Sequence, residues 1–426
     1  MLREEKKNSQ TSQGSDNVYK PANEIETSNF IKEIYKKNLP TEIVGTNTKN
    51  FIGNKLQCAK VLDLSRLSGI MEYLPEELYI KVKACTPISL IEESLDKNNQ
   101  QLAFEPIDFG YLKDSKPNKG TAAGQLSCNF SGSRRFKVGS LRDHILGFRG
   151  VNGKGDIIKS GGTVVKNVTG YDLSKLVTGS FGTLVALTEI TFKVLPKKDS
   201  ISTLVIYSED NKVITDLFDQ LLSSSNEISG AVYIPVEPNN KNYTKNIEKI
   251  FKFNNLKSEE PFVAVRIEGS KKSIDERIQN ISQELQIKKM KTSMLDFYQS
   301  KLFWEKINNL ELFSGTKNNL LRAVIPTATS LDLMKYLKNN FKYYIDWCGS
   351  LFWIEVLEKE NVQIKEMKET IINLGGYLTI VKKSESLSSD IDIFTINDTR
   401  LLLSQKIKES FDPKKLLNPG KMYRSL

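Results

Sequence analysis

The stretch from Ser160 to Ile190, "SGGTVVKNVTGYDLSKLVTGSFGTLVALTEI", holds five glycines and then turns abruptly apolar. Glycine lacks a Cβ atom, so such a segment lets the backbone reverse tightly or approach a bulky group closely. The pattern predicts a strand that starts at Gly161 and Gly162, a turn at Thr169–Gly170 and a helix near Asp172. A glycine loop would then feed a buried strand, "LVALTEITFKVLP". The stretch therefore indicates a fold in which a flat or bulky group rests on the backbone.

The size and charge of the chain indicate a multi-unit protein that does not bind nucleic acid. A chain of 426 residues is longer than one hydrophobic core usually supports, which predicts two or three packed units. The formal net charge is +10, but lysines account for most of the positive charge and are spread along the whole sequence. A nucleic-acid footprint would cluster its basic residues, so we expect a solvated surface and no nucleic-acid partner.

Cysteine and histidine usage excludes most metal chemistry. The four cysteines lie far apart and offer no CxxC pair; they are Cys58, Cys85, Cys128 and Cys348. We therefore expect no metal, no iron–sulfur cluster in this chain and free thiols. His144 is the only histidine, which removes every two-histidine mechanism. Any redox chemistry must then come from a cofactor.

Apolar patterning predicts a cytoplasmic protein of class α+β. No run of about 18 apolar residues is present, and the N-terminus lacks a secretion signal. Residues 1–24 have too few large apolar side chains to offset the conformational entropy that would be lost on folding, and are predicted to be a disordered leader. A helix is expected behind Ser28 as its cap, and a second behind Thr86 in "TPISLIEESLDKNNQ". Residues 199–400 alternate strand-like and helix-like segments, which predicts a mainly antiparallel sheet with helices on one face.

Two further segments share the small-residue character of the opening stretch. The loop "GTNTKNFIG", Gly45 to Gly53, follows a strand and can turn its amides and Lys49 toward a phosphate, although an ordinary surface turn remains an alternative. The segment from Gly120 to Gly147 is rich in Gly, Ala and Ser, which permit close approach of a ligand. It also holds or adjoins four of the eleven arginines of the chain, Arg134, Arg135, Arg142 and Arg149. Arginine suits anionic groups, but two of these four are also candidates for ion pairs with carboxylates such as Asp143.

Taken together, these motifs resemble a known family. "FEPIDFG" at Phe104, "SGSRRFKVGSLRDHILG" at Ser131 and "GGTVVKNVTGYDLSKLVTGSFGTLVALTEITFKVLP" at Gly161 occur in order. They resemble the FAD-binding domain of the vanillyl-alcohol-oxidase (PCMH-type) FAD-linked oxidases, and most of all the FAD-binding E subunits of glycolate oxidases. The resemblance covers about residues 41–196, and a second match lies in "FDPKKLLNPGKMY" near the C-terminus.

This resemblance implies a fold and a cofactor. It implies a two-lobed FAD domain over residues 25–198 (lobes about 25–105 and 106–198), an α+β domain over 199–400, and a tail over 401–426 that packs back on the FAD domain. Pro413 is expected at the first turn of a short tail helix. By position, the resemblance assigns the following FAD contacts: Gly45, Thr46, Asn47, Thr48, Lys49, Thr121, Ala122, Gly124, Ser127, Asn129, Ser131, Gly132, Gly139, Asp143, Gly182, Thr183, Leu184 and Val185.

Some positions depart from the family pattern. The family's first loop usually reads Arg followed by three glycines, where this chain has Val44, Gly45, Thr46 and Asn47. Asparagine tolerates left-handed backbone angles, whereas threonine suits them poorly. Because His144 does not occupy a flavin attachment position, the FAD is expected to be noncovalent.

The resemblance also implies partners, and three functions stay open. Related subunits that oxidise 2-hydroxy acids carry histidine-rich C-terminal motifs, and this chain has no histidine after His144. The first hypothesis is therefore an accessory electron-transfer subunit of a glycolate (2-hydroxy acid) oxidase or dehydrogenase complex, beside a catalytic FAD subunit and an iron–sulfur subunit. It would meet the membrane only through that complex. The alternatives are a self-sufficient FAD oxidoreductase of a small alcohol or acid, with Tyr or Lys as base, and a degenerate structural subunit.

Overall fold

A computed structural model describes residues 17–113, 116–163, 171–236, 247–284, 290–338 and 340–426. Its strands are β1 Val18–Tyr19, β2 Thr41–Val44, β3 Lys60–Asp63, β4 Ile70–Leu74, β5 Tyr79–Lys83, β6 Gln100–Gln101, β7 Ile145–Asn152, β8 Ile157–Gly161, β9 Val185–Lys193, β10 Leu195–Pro196, β11 Ser200–Tyr207, β12 Gly230–Ile234, β13 Phe262–Gly269, β14 Thr292–Leu295, β15 Asn319–Val324, β16 Lys342–Asp346, β17 Leu351–Val356 and β18 Tyr377–Lys382.

The α-helices are α1 Glu24–Lys37, α2 Ile88–Asp96, α3 Gly110–Lys113, α4 Ala122–Cys128, α5 Arg135–Val138, α6 Leu173–Val177, α7 Asn211–Ser223, α8 Lys271–Glu284, α9 Phe297–Asn308, α10 Ser330–Leu337, α11 Asn361–Asn373 and α12 Asp398–Phe411. Short 3-10 helices cover Pro75–Glu77, Leu141–His144, Glu311–Phe313, Thr327–Thr329 and Trp347–Gly349.

The described part of the first half holds three sheets, one of which is the antiparallel pair β6 and β10. Strands β1, β3 and β2 form a parallel sheet, and β4, β5, β9, β7 and β8 form an antiparallel sheet in that order. The predicted apolar strand is β9, which lies between β5 and β7 and is buried along most of its length. Both of its faces carry apolar side chains, and Glu189 on one of them pairs with Lys81 of β5 at 2.8 Å.

The second half is built on one large sheet. Eight strands run in the order β14, β11, β13, β12, β16, β17, β15 and β18, and each neighbouring pair is antiparallel. The long apolar strands of this sheet and helices α7 to α11 share one hydrophobic core. The mixed helix and strand content with a large antiparallel sheet confirms the predicted α+β class.

The N-terminal helix differs from its prediction. It begins at Glu24, and the side chain of Asn23 accepts its capping hydrogen bond from the Glu26 amide. Ser28 lies within the helix, where its buried hydroxyl donates to the carbonyl of Gly155 at 2.6 Å. Strand β1 also lies within the predicted leader and pairs with β3, so backbone pairing orders this part despite its polar sequence. The rest of the leader, 1–16, lies outside the described residues.

Two other local predictions are wrong. Helix α2 has Pro87 at its cap position, and the hydroxyl of Thr86 bonds instead to backbone groups of Gly69 and Lys83. Gly161 ends strand β8 rather than starting a strand, and it takes a left-handed φ of 72°. The predicted turn at Thr169–Gly170 lies outside the described residues.

The C-terminal tail forms no helix at Pro413. Helix α12 ends at Phe411, and the carboxylate of the next residue, Asp412, accepts from the Leu417 amide at 2.7 Å. The tail then runs beside β2, where the Thr41 amide donates to the Leu416 carbonyl at 2.7 Å. No helix among the described residues is both long and apolar enough to cross a membrane.

Candidate functional site

One cavity collects residues from all three small-residue segments and from the C-terminal tail. It is partly open to solvent, and its empty space, open solvent included, is about 810 Å³. Its lining includes Gly45, Thr46, Asn47, Thr48, Lys49, Thr121, Ala123, Gly124, Ser127, Cys128, Phe181, Gly182, Val185, Asn418 and Lys421. We call this space the loop cavity.

The first wall of the loop cavity is the turn after β2. Asn47 takes a left-handed φ of 56°, the geometry that asparagine tolerates. The turn packs tightly on the second segment, because a Cβ atom at Gly120 would lie 2.3 Å from the Thr48 hydroxyl oxygen. Gly120 itself has a φ of +72°. Glycine is therefore required at this contact for both space and backbone angle.

The second wall is helix α4. Thr121 caps it by accepting a hydrogen bond from the Gly124 amide at 3.2 Å. Gly124 and Ser127 face the loop cavity, whereas Ala122 is fully buried in the core of the first half. The neighbouring Ala123 lines the cavity instead. A helix turns about 100° per residue, and this explains why adjacent alanines have different environments.

The third wall is the glycine loop before β9. Phe181 and Gly182 have left-handed φ values of 52° and 70°. A Cβ atom at Gly182 would lie 2.7 Å from the amide nitrogen of Asn418, which donates to the Phe181 carbonyl at 2.8 Å. The tail is thus held against this loop. Val185 also lines the cavity, while Leu184 points into the core and the Thr183 hydroxyl donates to the Ser180 carbonyl.

The remaining predicted contact residues lie away from the loop cavity. Asn129 ends α4 and lines a second cavity. Ser131 accepts from the Leu141 amide at 2.8 Å, and Asp143 forms a capping box with Ser140 beside Gly139. Gly132 packs so closely that an added Cβ would lie 2.2 Å from the Asn308 side chain of the second half. These positions have local structural roles, and their assignment to FAD stays a prediction.

Two lysines bring positive charge into the loop cavity. The ammonium group of Lys49 donates to the Lys119 carbonyl at 2.9 Å, and that of Lys421 donates to the Asn50 carbonyl at 3.0 Å. Burial lowers the pKa of Lys49 to about 8 and also lowers the pKa of Lys421. Sequence reasoning missed Lys421, although the quoted tail motif contains it.

The second cavity lies between the two halves and is lined by arginine and aromatic side chains. Its empty space, open solvent included, is about 970 Å³. Its lining includes Asn129, Phe130, Arg135, Arg322, Trp347, Tyr377, Phe394, Arg400 and Tyr423. Cys128 and Phe181 line this arginine cavity and the loop cavity alike. The two spaces therefore adjoin at these two residues.

Arg322 is the most buried charge of the arginine cavity. Its guanidinium lies 4.8 Å from the ring centre of Trp347 and 5.4 Å from that of Phe130. Among the described residues it forms no ion pair, and its Nε has no hydrogen-bond partner. Burial lowers its pKa, while the Tyr377 hydroxyl bonds to it and opposes that shift. A buried cation without a carboxylate favours an anionic ligand in this cavity.

The arginine cluster of the sequence divides into two roles. Arg134 pairs with Glu105 at 2.8 Å and with Glu268, and Arg149 pairs with Glu24. These two arginines bind carboxylates, which is the structural alternative left open by the sequence. Arg135 instead stacks over Trp347, with its guanidinium 4.2 Å from the ring centre.

His144 has a structural environment. Its side chain is buried, and Nε2 lies 3.1 Å from the Val138 carbonyl. Burial lowers its pKa, which favours the neutral ring. The histidine lines neither the loop cavity nor the arginine cavity.

Comparison with known proteins gives consistent matches. Residues 15–161 match the FAD binding domain family. Glycolate oxidase subunit GlcE of Escherichia coli (strain K12) is 29% identical over 389 residues, covering 91% of this chain and 93% of that protein. Glycolate oxidase subunit GlcD of Bacillus subtilis (strain 168) is 24% identical over 433 residues, covering 96% and 89%.

A solved structure supports the fold. The 4-ethylphenol oxidase from Gulosibacter chungangensis, in its isoeugenol complex, superposes with a TM-score of 0.68 at 14% identity. The match covers 95% of this chain and 88% of that chain. The predicted fold, a PCMH-type domain joined to an α+β domain with an antiparallel sheet, is confirmed.

Proposed function

We propose that this chain, an FAD-dependent oxidoreductase of the PCMH-type FAD-linked oxidases, is the FAD-binding subunit of a glycolate (2-hydroxy acid) oxidase or dehydrogenase complex. The family, the FAD cofactor and the oxidoreductase class predicted from the sequence are confirmed by the domain match and the relatives. The complex, the substrate and the partner subunits are the proposed part. They are supported by a relative that is itself a glycolate oxidase subunit and aligns over nearly the full length of both chains.

The geometry that carries the proposal is the junction of the two cavities at Cys128 and Phe181. FAD is long, with a dinucleotide arm and a flat ring system, and adjoining spaces of different chemistry suit its two ends. The loop cavity has small residues and two lysines for the diphosphate, and the arginine cavity has aromatic walls for the ring. The residues present therefore fit the cofactor.

Different segments around the two cavities would bind different parts of FAD. FAD, when bound, supplies the two-electron redox chemistry. The turn from Gly45 to Lys49 and the small residues of α4 would hold the dinucleotide arm. The flavin would be noncovalent, because His144 is buried away from both cavities and burial raises the pKa of the Cys128 thiol to about 11. A protonated thiol is a poor nucleophile.

The accessory role within the complex is supported by the histidine count. The chain has one histidine, and its Nε2 faces a backbone carbonyl. Neither cavity therefore offers an imidazole that could abstract a proton from a hydroxy acid. Substrate oxidation would fall to a catalytic FAD subunit, with electrons leaving through an iron–sulfur subunit.

A second candidate is a chain that oxidises a small acid itself. The observation in its favour is the arginine cavity, where Arg322 lies beside the Tyr377 hydroxyl without a carboxylate partner among the described residues. A substrate carboxylate would neutralise the guanidinium, and the phenol oxygen would be the group available as base.

Expression of the chain alone and together with the other two subunits separates the candidates. We expect the purified chain to show flavin absorbance and to release the flavin on acid precipitation. Glycolate-dependent dye reduction is expected only in the assembled complex. Appreciable turnover by the isolated chain would overturn the accessory role in favour of the second candidate. Flavin that stays with the precipitate would contradict noncovalent binding, and a folded but colourless chain would favour a structural subunit.

A further inference from the structure

An open groove lies where three parts of the chain meet, and it shares no lining residue with the two cavities described above among the residues that the structure describes. Its walls come from the loop 54–57 of the first half, the segment 387–393 of the second half and the residues 415–426 of the tail. Its empty space, open solvent included, is about 1620 Å³. We call this space the tail groove.

The charged side chains that line the tail groove are positive. They are Lys55, Lys383, Lys415 and Arg424. In the part of the chain that the structure describes, no aspartate or glutamate side chain lines it. The carboxyl end of Leu426 also lies there, and its oxygen accepts from the Gly420 amide. Counted as one negative charge against four positive ones, it leaves a net of three positive charges.

Two aspartates of the segment 387–393 alternate with its groove-lining residues and do not line the groove. The Asp390 carboxylate pairs with Lys365 of helix α11 at 2.6 Å. The Asp392 carboxylate lies 4.0 Å from Nε of Arg424, at the limit of an ion pair, and the Arg424 side chain is 52% exposed. These carboxylates therefore compensate at most one of the four cations.

Backbone carbonyls hold three of the four cations in place. The Lys383 ammonium donates to the Gly53 carbonyl at 2.6 Å, and that of Lys415 donates to the Ser425 carbonyl at 3.1 Å. The Arg424 guanidinium donates to two carbonyls of the facing segment 387–393. A carbonyl fixes the position of a cation but does not neutralise it. The groove therefore presents fixed positive charge.

The three lysines have no carboxylate within ion-pair distance among the described residues. Burial lowers the pKa of Lys383, and the positive charge of Lys421 lowers it further. Lys55 is exposed on the opposite wall, in the loop of the first half. A carboxylate brought into the groove would relieve repulsion among these like charges. The tail groove therefore favours an anionic occupant.

The tail groove also offers apolar surface. Leu387 and Pro419 are half-buried in its walls, and the buried side chains of Ile391 and Ile393 complete its lining from the core. A small anion would contact only the charged groups. A peptide that carries both carboxylates and apolar side chains would use both kinds of surface, so the lining favours a peptide.

We propose that the tail groove binds an acidic segment of a partner protein. The carboxylates of that segment pair with the four cations, and its apolar side chains pack on Leu387 and Pro419. Charge complementarity of this kind speeds association and selects against positively charged partners. The proposal goes beyond the proposed function, because no step of it depends on a bound cofactor.

One stretch of the tail connects this surface to the loop cavity. Pro419 and Gly420 line the tail groove, whereas their neighbours Asn418 and Lys421 line the loop cavity. The same four residues are thus a wall of both spaces. A partner segment in the groove would press this stretch against the loop cavity.

The test uses the full chain and a fluorescein-labelled octapeptide of alternating glutamate and leucine, with binding followed by fluorescence anisotropy. A peptide of alternating lysine and leucine is the charge-reversed control. The groove variant is Lys55→Glu/Arg424→Glu. The matched variant, Lys271→Glu/Lys272→Glu, makes the same change in charge at two exposed lysines of helix α8. Circular dichroism and thermal unfolding report whether each variant folds.

We expect the groove variant to bind the acidic peptide about tenfold more weakly than the wild type, and the α8 variant to stay within about twofold of it. Affinity should fall as the salt concentration rises, because salt screens exposed charge pairs. The lysine–leucine peptide should not bind. Arg424 also bonds to backbone carbonyls, so Lys55→Glu alone carries the test should the double variant fail to fold.

Three outcomes would overturn the proposal. A folded wild type that does not bind the acidic peptide would exclude the groove as an acidic docking site. Equal losses of affinity in the groove and α8 variants would mean that the positive surface as a whole attracts the peptide. Double-stranded DNA or phosphatidylglycerol vesicles that bind the groove more tightly than the peptide would overturn the assignment to a protein partner. The flavin content of the chain, which tests the proposed function, is a separate measurement.

Discussion

Glu105 of the first half accepts hydrogen bonds from Arg266 of strand β13 at 2.7 and 3.2 Å, and this pair joins the two halves of the molecule. Arg134 adds a second guanidinium to the same carboxylate and continues to Glu268. The network is buried, and its charges alternate in sign. It lies beside Gly132, whose close contact with Asn308 shows how tightly the two halves meet.

Removing the Glu105 charge should destabilise the junction. Glu105→Gln leaves Arg134 and Arg266 with one carboxylate between them, and breaking a buried pair costs about 3–5 kcal/mol. We expect a loss of this size in the free energy of unfolding, measured by urea denaturation. Glu93→Gln, which removes an exposed pair with Lys97, is the control and should cost under about 1 kcal/mol. Equal effects of the two substitutions would contradict a special role for the junction.

Acid should weaken the same junction. Burial would raise the pKa of Glu268, but Arg266 and Arg134 outweigh it and lower the pKa to about 2. A carboxylate with a lowered pKa stabilises the fold above its unfolded pKa, and that stability is lost as the pH falls toward the folded value. Unfolding free energy should therefore drop by about 3 kcal/mol between pH 4.5 and 2, from this group. In Glu268→Gln the slope over this range should flatten; an unchanged slope would contradict the assignment.

The sequence predicted those parts of the site that depend on local pattern. The turn from Gly45 to Lys49, the cap at Thr121 and the glycine loop at Gly182 all line one cavity. Each lies in a run of small residues, and the absence of a Cβ atom is visible in the sequence itself. The buried strand β9 was equally visible as a mainly apolar segment after the glycine loop.

Tertiary contacts determined what the sequence did not reveal. Lys421 bonds to Asn50 across 371 positions, and the environment of a single lysine gives no sign of such a contact. Arg322 lies in strand β15 among mainly apolar residues, and the sequence does not show that no carboxylate of the folded sheet reaches it. Ser28 was expected as a cap because capping residues and helix-interior serines look alike until the backbone is placed.

A rise in pH within the acidic range should destabilise the fold through a different buried carboxyl group. Burial raises the pKa of Asp346 to about 6, and its oxygens accept from the Trp347 amide and the Ser133 hydroxyl. A raised carboxyl pKa means that stability declines as the pH rises from about 4 to about 6. Asp346→Asn, which stays neutral, should be more stable than the wild type at pH 8 by about 2 kcal/mol and not at pH 4. Thermal unfolding at the two pH values tests this; an Asn variant that is less stable at both would contradict it.

The docked tail should depend on one buried ion pair. The Lys408 ammonium pairs with Asp412 and also donates to the carbonyls of Thr183 and Leu417, which ties α12 to the loop cavity wall. Asp412→Asn leaves that ammonium without a carboxylate and should cost about 3–5 kcal/mol. Limited proteolysis should then cut the tail faster than in the control Lys365→Met, whose pair with Asp390 is exposed. Unchanged cleavage would show that other contacts hold the tail.

Arg322 should contribute to ligand binding and not to the stability of the fold. The guanidinium is buried against Trp347 without an ion pair, so Arg322→Met should unfold at the same or a higher temperature than the wild type. If the arginine cavity takes a small carboxylate, the same substitution should weaken binding of oxalate to the flavin-loaded protein at least tenfold. Arg277→Met, which removes an outlying pair with Glu227, should alter neither oxalate affinity nor flavin content. Calorimetric titration of the flavin-loaded protein measures the affinity. A destabilised Arg322→Met with unchanged oxalate affinity would identify the guanidinium as part of the packing between aromatic rings, because cation–π contact alone would then explain its burial.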